Sequence, residues 1–240
     1  MTDTAPIASL KDVSTATLSM QMLKRGVPSV AMTGVRALDP GVGRLVGPAY
    51  TLRFIPRRED VTSPAVLADP SFPQRRAIEE TPAGHVLVAD CRRETDAGIV
   101  GDIMAERLKL RGVAGVVTDG AVRDADAVRR VGLPVFAGAA AAPPNIFRHH
   151  AADVGRPIAC GGVAVFPGDI VVADGDGVVV LPAAMAEEVA AAAVEQERLE
   201  TFLQKLIAAG RPLPGTYPPN EETLAEYERW LAAGAPDRVP

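Results

Sequence analysis

The chain has 240 residues, of which 48% are hydrophobic and 23% charged, and its formal net charge is -5. This length and composition are typical of a soluble protein with one well-buried domain, with or without an appendage. The acidic balance and the lack of any Lys/Arg run argue against a nucleic-acid-binding protein, and no apolar stretch is long enough for a membrane span.

The first ten residues do not combine a basic region with an apolar core, so we predict no signal peptide and expect a cytoplasmic protein. Cys91 and Cys160 lack metal-ligand spacing and are expected to be buried thiols without a disulfide. None of the four lysines is predicted at the end of a buried strand. Enzymes that form an imine with their substrate are therefore disfavoured.

The N-terminal third predicts one helix and then strand-like stretches. Residues 14–24 have helical character, with Ser14 or Thr15 as the cap and Gly26 after the end. Residues 42–55 contain apolar strand-like stretches that we expect to be broken at Gly47-Pro48. Residues 56–73 are rich in charge and proline and predict mainly a loop, with room for one helical turn.

The middle of the chain alternates between strands and helices. Strands are predicted at residues 86–90, 113–118 and 133–137, and helices at residues 96–111 and 124–131. Strand, helix, strand, helix, strand within about fifty residues indicates parallel pairing with right-handed crossovers.

The third quarter has a different pattern. Residues 161–166, 169–173 and 177–181 are three short apolar runs separated by glycine-containing turns, which is typical of antiparallel strands. Combined with the parallel middle, this pattern predicts an α/β fold with β/β/α layers and argues against a Rossmann fold.

A long helix and a tail are predicted at the C-terminal end. The helix would run from Pro182 to Ala209, about 40 Å at 1.5 Å per residue, and would project or pack on a neighbour. A short amphipathic helix follows at residues 221–233 and carries the single tryptophan of the chain. We expect residues 1–210 to form one domain and residues 211–240 to form the tail.

Two motifs could form a site. Thr118-Asp-Gly-Ala-Val-Arg-Asp124 follows a buried strand, where ligand sites gather in α/β sheets. Arg123 offers a planar fork to a carboxylate or carbonyl oxygen, and Asp124 offers a hard oxygen ligand to Mg²⁺. The structural alternative is that Asp124 only caps the next helix and Arg123 forms a surface ion pair.

The second motif is Asp96-Ala-Gly-Ile-Val-Gly-Asp-Ile-Met104. Glycines near a helix start leave backbone amides free to bind an anion, and Asp102 adds a carboxylate. Taken alone, this motif also fits a helix start with an acidic first turn. Because both motifs follow neighbouring parallel strands, they should face one edge of the sheet and form a pocket for a small keto acid on a divalent metal.

Other motifs are weaker candidates. His149-His150 has no metal-ligand spacing and fits surface histidines. Asp174-Gly-Asp-Gly177 resembles part of an ion-binding loop but lacks the rest of one, so a β-turn is favoured. Four arginines, Arg53, Arg57, Arg92 and Arg93, could bind a distal substrate carboxylate, although solvation at the surface explains most of them equally well.

At these motifs the sequence resembles the RraA-like family, which includes the 4-hydroxy-4-methyl-2-oxoglutarate/4-carboxy-4-hydroxy-2-oxoadipate aldolases. The matching stretches lie between residues 15 and 210 and are Leu45–Thr51, Gly101–Met104, Arg111–Asp124, Leu133–Phe136, Ile158–Val163, Pro167–Asp174 and Gly177–Val180. The resemblance implies a β/β/α fold like the swivelling phosphohistidine domain, assembled as a homotrimer or homohexamer.

The resemblance also implies class II aldolase chemistry with Mg²⁺ or Mn²⁺ on a small 2-oxo acid. The amides of Gly101, Asp102, Ile103 and Met104 would hold the pyruvyl carboxylate. Arg123 would stabilise the enolate, and Asp124, helped by Asp102, would hold the metal. A glutamate from a neighbouring subunit would complete the site, with Glu200 as the best positional match and Glu197 next.

Two other functions stay open. The regulatory branch of the same family binds and inhibits ribonuclease E, and the tail after Gly210 argues against that role. The second alternative is a related lyase or decarboxylase that acts on another keto acid, including oxaloacetate.

Overall fold

The structure is a computed structural model that describes residues 9–236. Residues 1–8 and 237–240 lie outside that range. The first set belongs to the N-terminal segment for which no signal peptide is predicted, and the second set belongs to the predicted tail. Within the described range the α-helices are α1 (Thr15–Lys24), α2 (Pro73–Glu80), α3 (Asp102–Leu110), α4 (Ala125–Val131), α5 (Ala186–Ala208) and α6 (Glu221–Ala232). Short 3₁₀ turns lie at Leu10–Asp12, Pro64–Ala68, Asn145–Phe147 and Ala183–Met185.

The strands of the described residues are β1 (Arg36–Ala37), β2 (Leu45–Pro56), β3 (Val86–Asp90), β4 (Gly115–Thr118), β5 (Ala121–Val122), β6 (Val135–Ala137), β7 (Ala139–Ala140), β8 (His149–Val154), β9 (Ile158–Cys160), β10 (Val163–Val165), β11 (Ile170–Ala173) and β12 (Val178–Leu181). Among these residues, the main sheet has eight strands in the order β1-β6-β4-β3-β2-β11-β12, with β8 paired to β2. Strands β9 and β10 form a separate hairpin, and β5 and β7 pair in parallel.

Strands β2, β3, β4 and β6 pair in parallel, as the alternation of strands and helices predicts. Strands β2, β11 and β12 pair antiparallel, which confirms the change of pattern in the third quarter. Because β3 and β4 are adjacent, the loops after them start at one edge of the sheet. This is the arrangement on which the expected pocket depends.

The buried residues divide into layers around the sheet. Leu87 and Ala89 of β3 face the helices α2, α3 and α4, whereas Val86 and Val88 face the β9–β10 hairpin. Such alternation follows from the two-residue period of a strand. The molecule is therefore layered as hairpin, sheet and helices, which confirms the expected mixed α/β fold. The likeness to a phosphohistidine domain stays a prediction.

The N-terminal and long C-terminal helices cover the other face of β11 and β12. Ser14 caps α1 by accepting a hydrogen bond from the Thr17 amide, as the sequence predicts. Leu18 and Met22 of α1 pack with Val189 of α5 in one apolar cluster. The first half of α5 therefore packs on its own chain.

The tail helix packs against the second half of α5. Phe202, Leu203 and Leu206 of α5 form a cluster with Tyr227 and Trp230 of α6, separate from the main core. The predicted tail helix is confirmed, and its tryptophan docks on this helix. No helix within residues 9–236 has the length and apolar character that crossing a membrane requires.

Two boundary predictions are wrong. The third helix begins at Asp102 and not at Asp96, because Gly98 forms β-bridges with Ala121 and Pro144 and Gly101 is an extended N-cap residue. Strand β2 continues through Gly47-Pro48 without a break. Gly47 is needed there because a Cβ atom would lie 2.4 Å from the Gly84 carbonyl oxygen, and Pro48 lies opposite Ile170.

Candidate functional site

A loop from the end of β3 crosses the edge of the sheet and meets the end of β5. The Ile99 amide donates to the Ala121 carbonyl, and the Arg123 amide donates to the Val100 carbonyl, both at 2.9 Å. The Gly98 amide donates to the Pro143 carbonyl at 2.9 Å. Residues 98–101 are thus held by backbone hydrogen bonds to Ala121, Arg123 and Pro143, and the first turn of α3 begins beside Arg123.

Two glycines allow this close approach. A Cβ atom on Gly98 would lie 2.6 Å from the Arg123 amide nitrogen, closer than real Cβ contacts allow. A Cβ atom on Gly101 would lie 2.8 Å from Asp124 Oδ2 and 3.2 Å from Arg123 Cγ. The structure therefore brings together the predicted Gly101, Arg123 and Asp124, although they come from two separate motifs.

Asp124 lies in an uncommon backbone conformation. Its φ is 53° and its ψ is 39°, in the left-handed region that residues other than glycine enter at a cost of about 1–3 kcal/mol. It occupies the N-cap position of α4, yet its carboxylate accepts no capping hydrogen bond. The alternative in which the Asp124 side chain only caps the helix is therefore wrong, and the backbone turns that carboxylate toward Gly101.

The alternative surface ion pair is present. Arg123 Nε lies 3.1 Å from Asp124 Oδ2, and each side chain is 41% exposed. Ion pairs this exposed stabilise a fold by about 1 kcal/mol or less. The pair contributes little to folding, and both groups remain accessible to a ligand.

Asp102 is the first residue of α3, and Gly101 is its N-cap. The Ile103 amide donates to Asp102 Oδ1 at 2.8 Å. This carboxylate therefore lies on one of the amides predicted to bind a substrate, and an anion arriving there would compete with it. Ile103 is 82% exposed and Met104 is partly buried, so their predicted contribution rests on their backbone amides.

Asp119 connects the loop after β3 to the turn between β9 and β10. This role is not evident from the sequence motifs. Its carboxylate accepts hydrogen bonds from the Cys91, Arg93 and Gly161 amides at 2.7, 3.2 and 3.2 Å. Burial raises the pKa of Asp119. An Asp-Gly pair directly after a buried strand is the one sequence signal that could have marked it.

Arg92 and Arg93 follow β3 with φ values of 60° and 59°. An Nη of Arg92 lies 3.2 Å from Nδ1 of the buried His149. Burial, and then the Arg92 charge, lower the pKa of His149 to about 4, so this ring is neutral near pH 7. His149 is buried within the fold, so the prediction of a surface histidine is wrong at this position. The Arg93 guanidinium donates a hydrogen bond to Thr33 Oγ1.

The two predicted glutamates lie on α5, away from these contacts. Glu200 accepts a hydrogen bond from Gln196 and lines a groove with Leu203, Ile207 and Tyr217. Glu197 accepts from the Ser14 amide of its own chain. Among residues 9–236, no hydrogen bond or ion pair joins either glutamate to the predicted site residues of the same chain.

The described part of the chain contains no cluster of three or more His, Cys, Asp or Glu side chains suited to a metal ion. Asp124 and Asp102 supply hard oxygen atoms, and the space that a Cβ on Gly101 would fill borders the Asp124 carboxylate. Mg²⁺ commonly binds proteins through one or two carboxylates and keeps several waters. The residues present fit such a water-rich ion.

The weaker candidates have structural roles. The Asp174 carboxylate accepts from the Thr15 amide at 2.8 Å and from the Asp176 amide at 3.0 Å, so this motif is a turn that anchors α1. Cys91 and Cys160 are free and buried, as predicted.

Comparison with known proteins supports the same family. The family model RraA-like, described as Aldolase/RraA, matches residues 11–180. Protein DlpA of Legionella pneumophila is 29% identical over 182 residues, covering 76% of this chain and 28% of that protein. A Halalkalibacterium halodurans protein named "Putative 4-hydroxy-4-methyl-2-oxoglutarate aldolase" is 33% identical over 58% of this chain and 68% of its own length.

Solved structures show the same fold. Streptomyces coelicolor RraAS2, described as an unusual member of the RNase ES inhibitor RraA protein family, superposes with a TM-score of 0.77 at 34% identity. The match covers 84% of this chain and 98% of that one. The chain belongs to the RraA-like family, because the family model spans most of its length.

Proposed function

We propose that this protein is a divalent-metal-dependent aldolase that cleaves a 4-hydroxy-2-oxo acid to pyruvate and a carbonyl product. The observation that carries the proposal is the contact of Gly101 with Arg123 and Asp124. In support, the N-cap of α3 lies beside the Arg123 side chain and the Asp124 carboxylate, and both of these side chains are 41% exposed. The family match and the name of the Halalkalibacterium relative support an aldolase of this kind.

Each group has a role in the proposed reaction. The amides at the start of α3 bind the substrate carboxylate with help from the helix dipole. A water or carboxylate at the site takes the proton of the 4-hydroxyl group, and the C3–C4 bond breaks to form the new carbonyl. The bonding electrons pass into pyruvate enolate, whose oxygen Arg123 stabilises. Protonation at C3 then gives pyruvate.

Asp124, with Asp102, would hold Mg²⁺ or Mn²⁺ mainly through water. The ion would supply a Lewis acid at the keto oxygen of the substrate. Glu200 of a neighbouring subunit would complete the oxygen ligands in a homotrimer or homohexamer. In support, Glu200 borders a groove whose Tyr217 and Leu213 are each 57% exposed.

Decarboxylation of oxaloacetate passes through the same enolate and is proposed as a second activity. In that reaction the C3–C4 bond also breaks, and carbon dioxide takes the place of the carbonyl product. Arg123 would stabilise the same oxygen in both reactions, so one substitution should impair both to a similar extent.

A second candidate is a regulator that binds ribonuclease E, favoured by the likeness to the RraAS2 structure. Such a regulator would need no metal, and Arg123 and Asp124 would act only as surface charges. A binding measurement with purified ribonuclease E separates it from the enzyme.

Deuterium uptake into the methyl group of pyruvate tests the enzyme without knowledge of the full substrate. We expect NMR to show uptake with Mg²⁺ or Mn²⁺, loss of uptake with EDTA, and a fall of about 10²–10³-fold in Arg123→Ala. Arg129→Ala is the matched control, because Arg129 is also 41% exposed and pairs with a nearby aspartate, Asp126. Deuterium uptake that is unchanged by EDTA, or that stays at the wild-type rate in Arg123→Ala, would contradict the proposal. No uptake by the folded protein, together with ribonuclease E binding, would favour the regulator.

A further inference from the structure

Two buried side-chain amides support the loop that leads into α3. Gln74, on α2, is 1% exposed, and Asn145, in the 3₁₀ turn before β8, is 4% exposed. Gln74 Nε2 lies 2.5 Å from the Ile99 carbonyl oxygen, and Asn145 Nδ2 donates to Gln74 Oε1 at 2.9 Å. The contacts span 25 and 71 positions in sequence, so tertiary packing alone creates them.

The orientation of this pair is fixed by chemistry. A carbonyl oxygen can only accept, so the amide group of Gln74 that faces Ile99 must be its NH₂. The oxygen of Gln74 then faces Asn145, which must present its own NH₂. Gln74 Nε2 also lies 4.0 Å from Met104 Sδ, so the same amide borders the first turn of α3.

The bond from Gln74 adds to the backbone hydrogen bonds of residues 98–101. Ala121 of β5, the adjacent Arg123 and the Pro143 carbonyl bond to backbone groups of this segment, and Gln74 bonds to the Ile99 carbonyl between them. A segment held at several backbone groups cannot rotate its peptide planes freely. The amides at Gly101 and Asp102 therefore keep one direction relative to Arg123.

We propose that Gln74, held by Asn145, is a positioning residue that aims the first amides of α3 at the carboxylate of the substrate. This inference rests on the proposed function. Gln74 touches no reacting atom and acts through the Ile99 carbonyl. Because these amides bind the substrate carboxylate through hydrogen bonds whose strength depends on direction, even a small rotation of this segment weakens substrate binding measurably.

The test uses Gln74→Met, which keeps the length of the side chain and removes both hydrogen bonds. We expect the KM for pyruvate in the deuterium-uptake assay to rise about 10-fold, with a smaller change in kcat. Thr81→Val is the matched control. Thr81 is also fully buried, is the C-cap of the same helix α2, and its hydroxyl donates to the Ala77 carbonyl of that helix. It should lower the melting temperature and leave KM unchanged.

A second variant separates positioning from packing. In Gln74→Glu, an ionised carboxylate cannot donate to the Ile99 carbonyl, whereas a protonated one can donate to Ile99 and accept from Asn145. Lowering the pH should therefore return the KM of Gln74→Glu toward the wild-type value measured at the same pH. Gln74→Met should show no such recovery.

Backbone amide exchange gives a readout that does not depend on catalysis. Gln74→Met should speed hydrogen exchange at residues 99–104, and Thr81→Val should not. Unchanged KM and unchanged exchange at these residues in Gln74→Met would overturn the positioning role. If the wild-type protein does not act on pyruvate, the proposed function fails, and amide exchange alone decides whether Gln74 fixes this loop.

Discussion

Two acidic turns in this molecule look alike in sequence and differ in structure. Asp174 and Asp124 each follow a buried strand and precede a change in chain direction. The Asp174 carboxylate accepts from the Thr15 amide, the Thr15 hydroxyl and the Asp176 amide, and lies 3.7 Å from Arg44. The Asp124 carboxylate has one partner among the described residues, the adjacent Arg123.

The difference separates an aspartate that serves the fold from one that is available for chemistry. Asp174 uses its hydrogen-bonding capacity to hold α1 against the sheet. Asp124 is held in a left-handed backbone conformation, and its side chain makes no capping hydrogen bond to α4. Backbone strain that is not offset by a local hydrogen bond is typical of functional positions. Asp124 therefore fits the proposed role in the reaction, and Asp174 has a structural role.

Substitution of Gly101 should reduce activity strongly, because a single methyl group there would displace the Asp124 carboxylate. In Gly101→Ala the new Cβ would crowd Asp124 Oδ2 at 2.8 Å, whereas its φ of -114° suits alanine. We expect deuterium uptake into pyruvate to fall about 100-fold, or about 2.7 kcal/mol in the barrier, with little loss of stability. Gly43→Ala, which meets no atom within 4 Å, is the control. Full activity in Gly101→Ala would place the chemistry elsewhere.

Asp119 is a third aspartate for comparison. It lies at the same edge of the main sheet as Asp124, and its contacts serve the fold. Its carboxylate accepts three backbone amides, and Asp119→Asn would turn an NH₂ group toward donors. We expect the free energy of unfolding to fall by about 2 kcal/mol, as for other buried polar groups that lose a partner. Urea denaturation checks this value. A stable Asp119→Asn protein without activity would instead assign Asp119 to the reaction.

His149 should give the smallest effect and a defined pH dependence. Its pKa is lowered from 6.5 to about 4 in the folded state, so protonation favours unfolding. The stability that neutral His149 provides is complete above about pH 6.5 and is lost as the pH falls toward 4. Between pH 7 and pH 5 we expect a loss on the order of 1–2 kcal/mol in the free energy of unfolding. In His149→Gln, the free energy of unfolding measured by denaturation should differ less between pH 7 and pH 5 than in the wild-type protein. An equal difference in the two proteins would assign the pH dependence to other groups.

The parallel strands of the core could be predicted from the sequence, since they follow from local patterns. The same patterns predict that the loops after β3 and β4 start at one edge of the sheet. Apolar runs such as residues 86–90, ended by Asp or Gly, mark both strands and the loops that leave them. The predicted start of α3 at Asp96 was wrong for a physical reason. Ile99 and Val100 are both buried in the core cluster on the helix side of the sheet, and Ile99 also fits a helical period.

Other parts of the candidate site could not be predicted, because they depend on contacts distant in sequence. No local pattern links Gln74 to Ile99, or Asp119 to Gly161. The left-handed conformation of Asp124 lies beside the close approach of Gly98 and Gly101, which is a tertiary contact. The role of Glu200 depends on a second chain and stays a prediction.

Asp124 serves the proposed reaction and Asp174 serves the fold, and one paired measurement tests this difference. Deuterium uptake into pyruvate and urea denaturation are measured for Asp124→Asn and Asp174→Asn; asparagine is chosen because it tolerates the left-handed conformation of Asp124. We predict that Asp124→Asn loses about 100-fold in uptake at nearly wild-type stability. Asp174→Asn should lose about 1–2 kcal/mol of stability and keep its uptake rate within about twofold. Equal losses of uptake in the two variants, or full uptake in Asp124→Asn, would contradict the account.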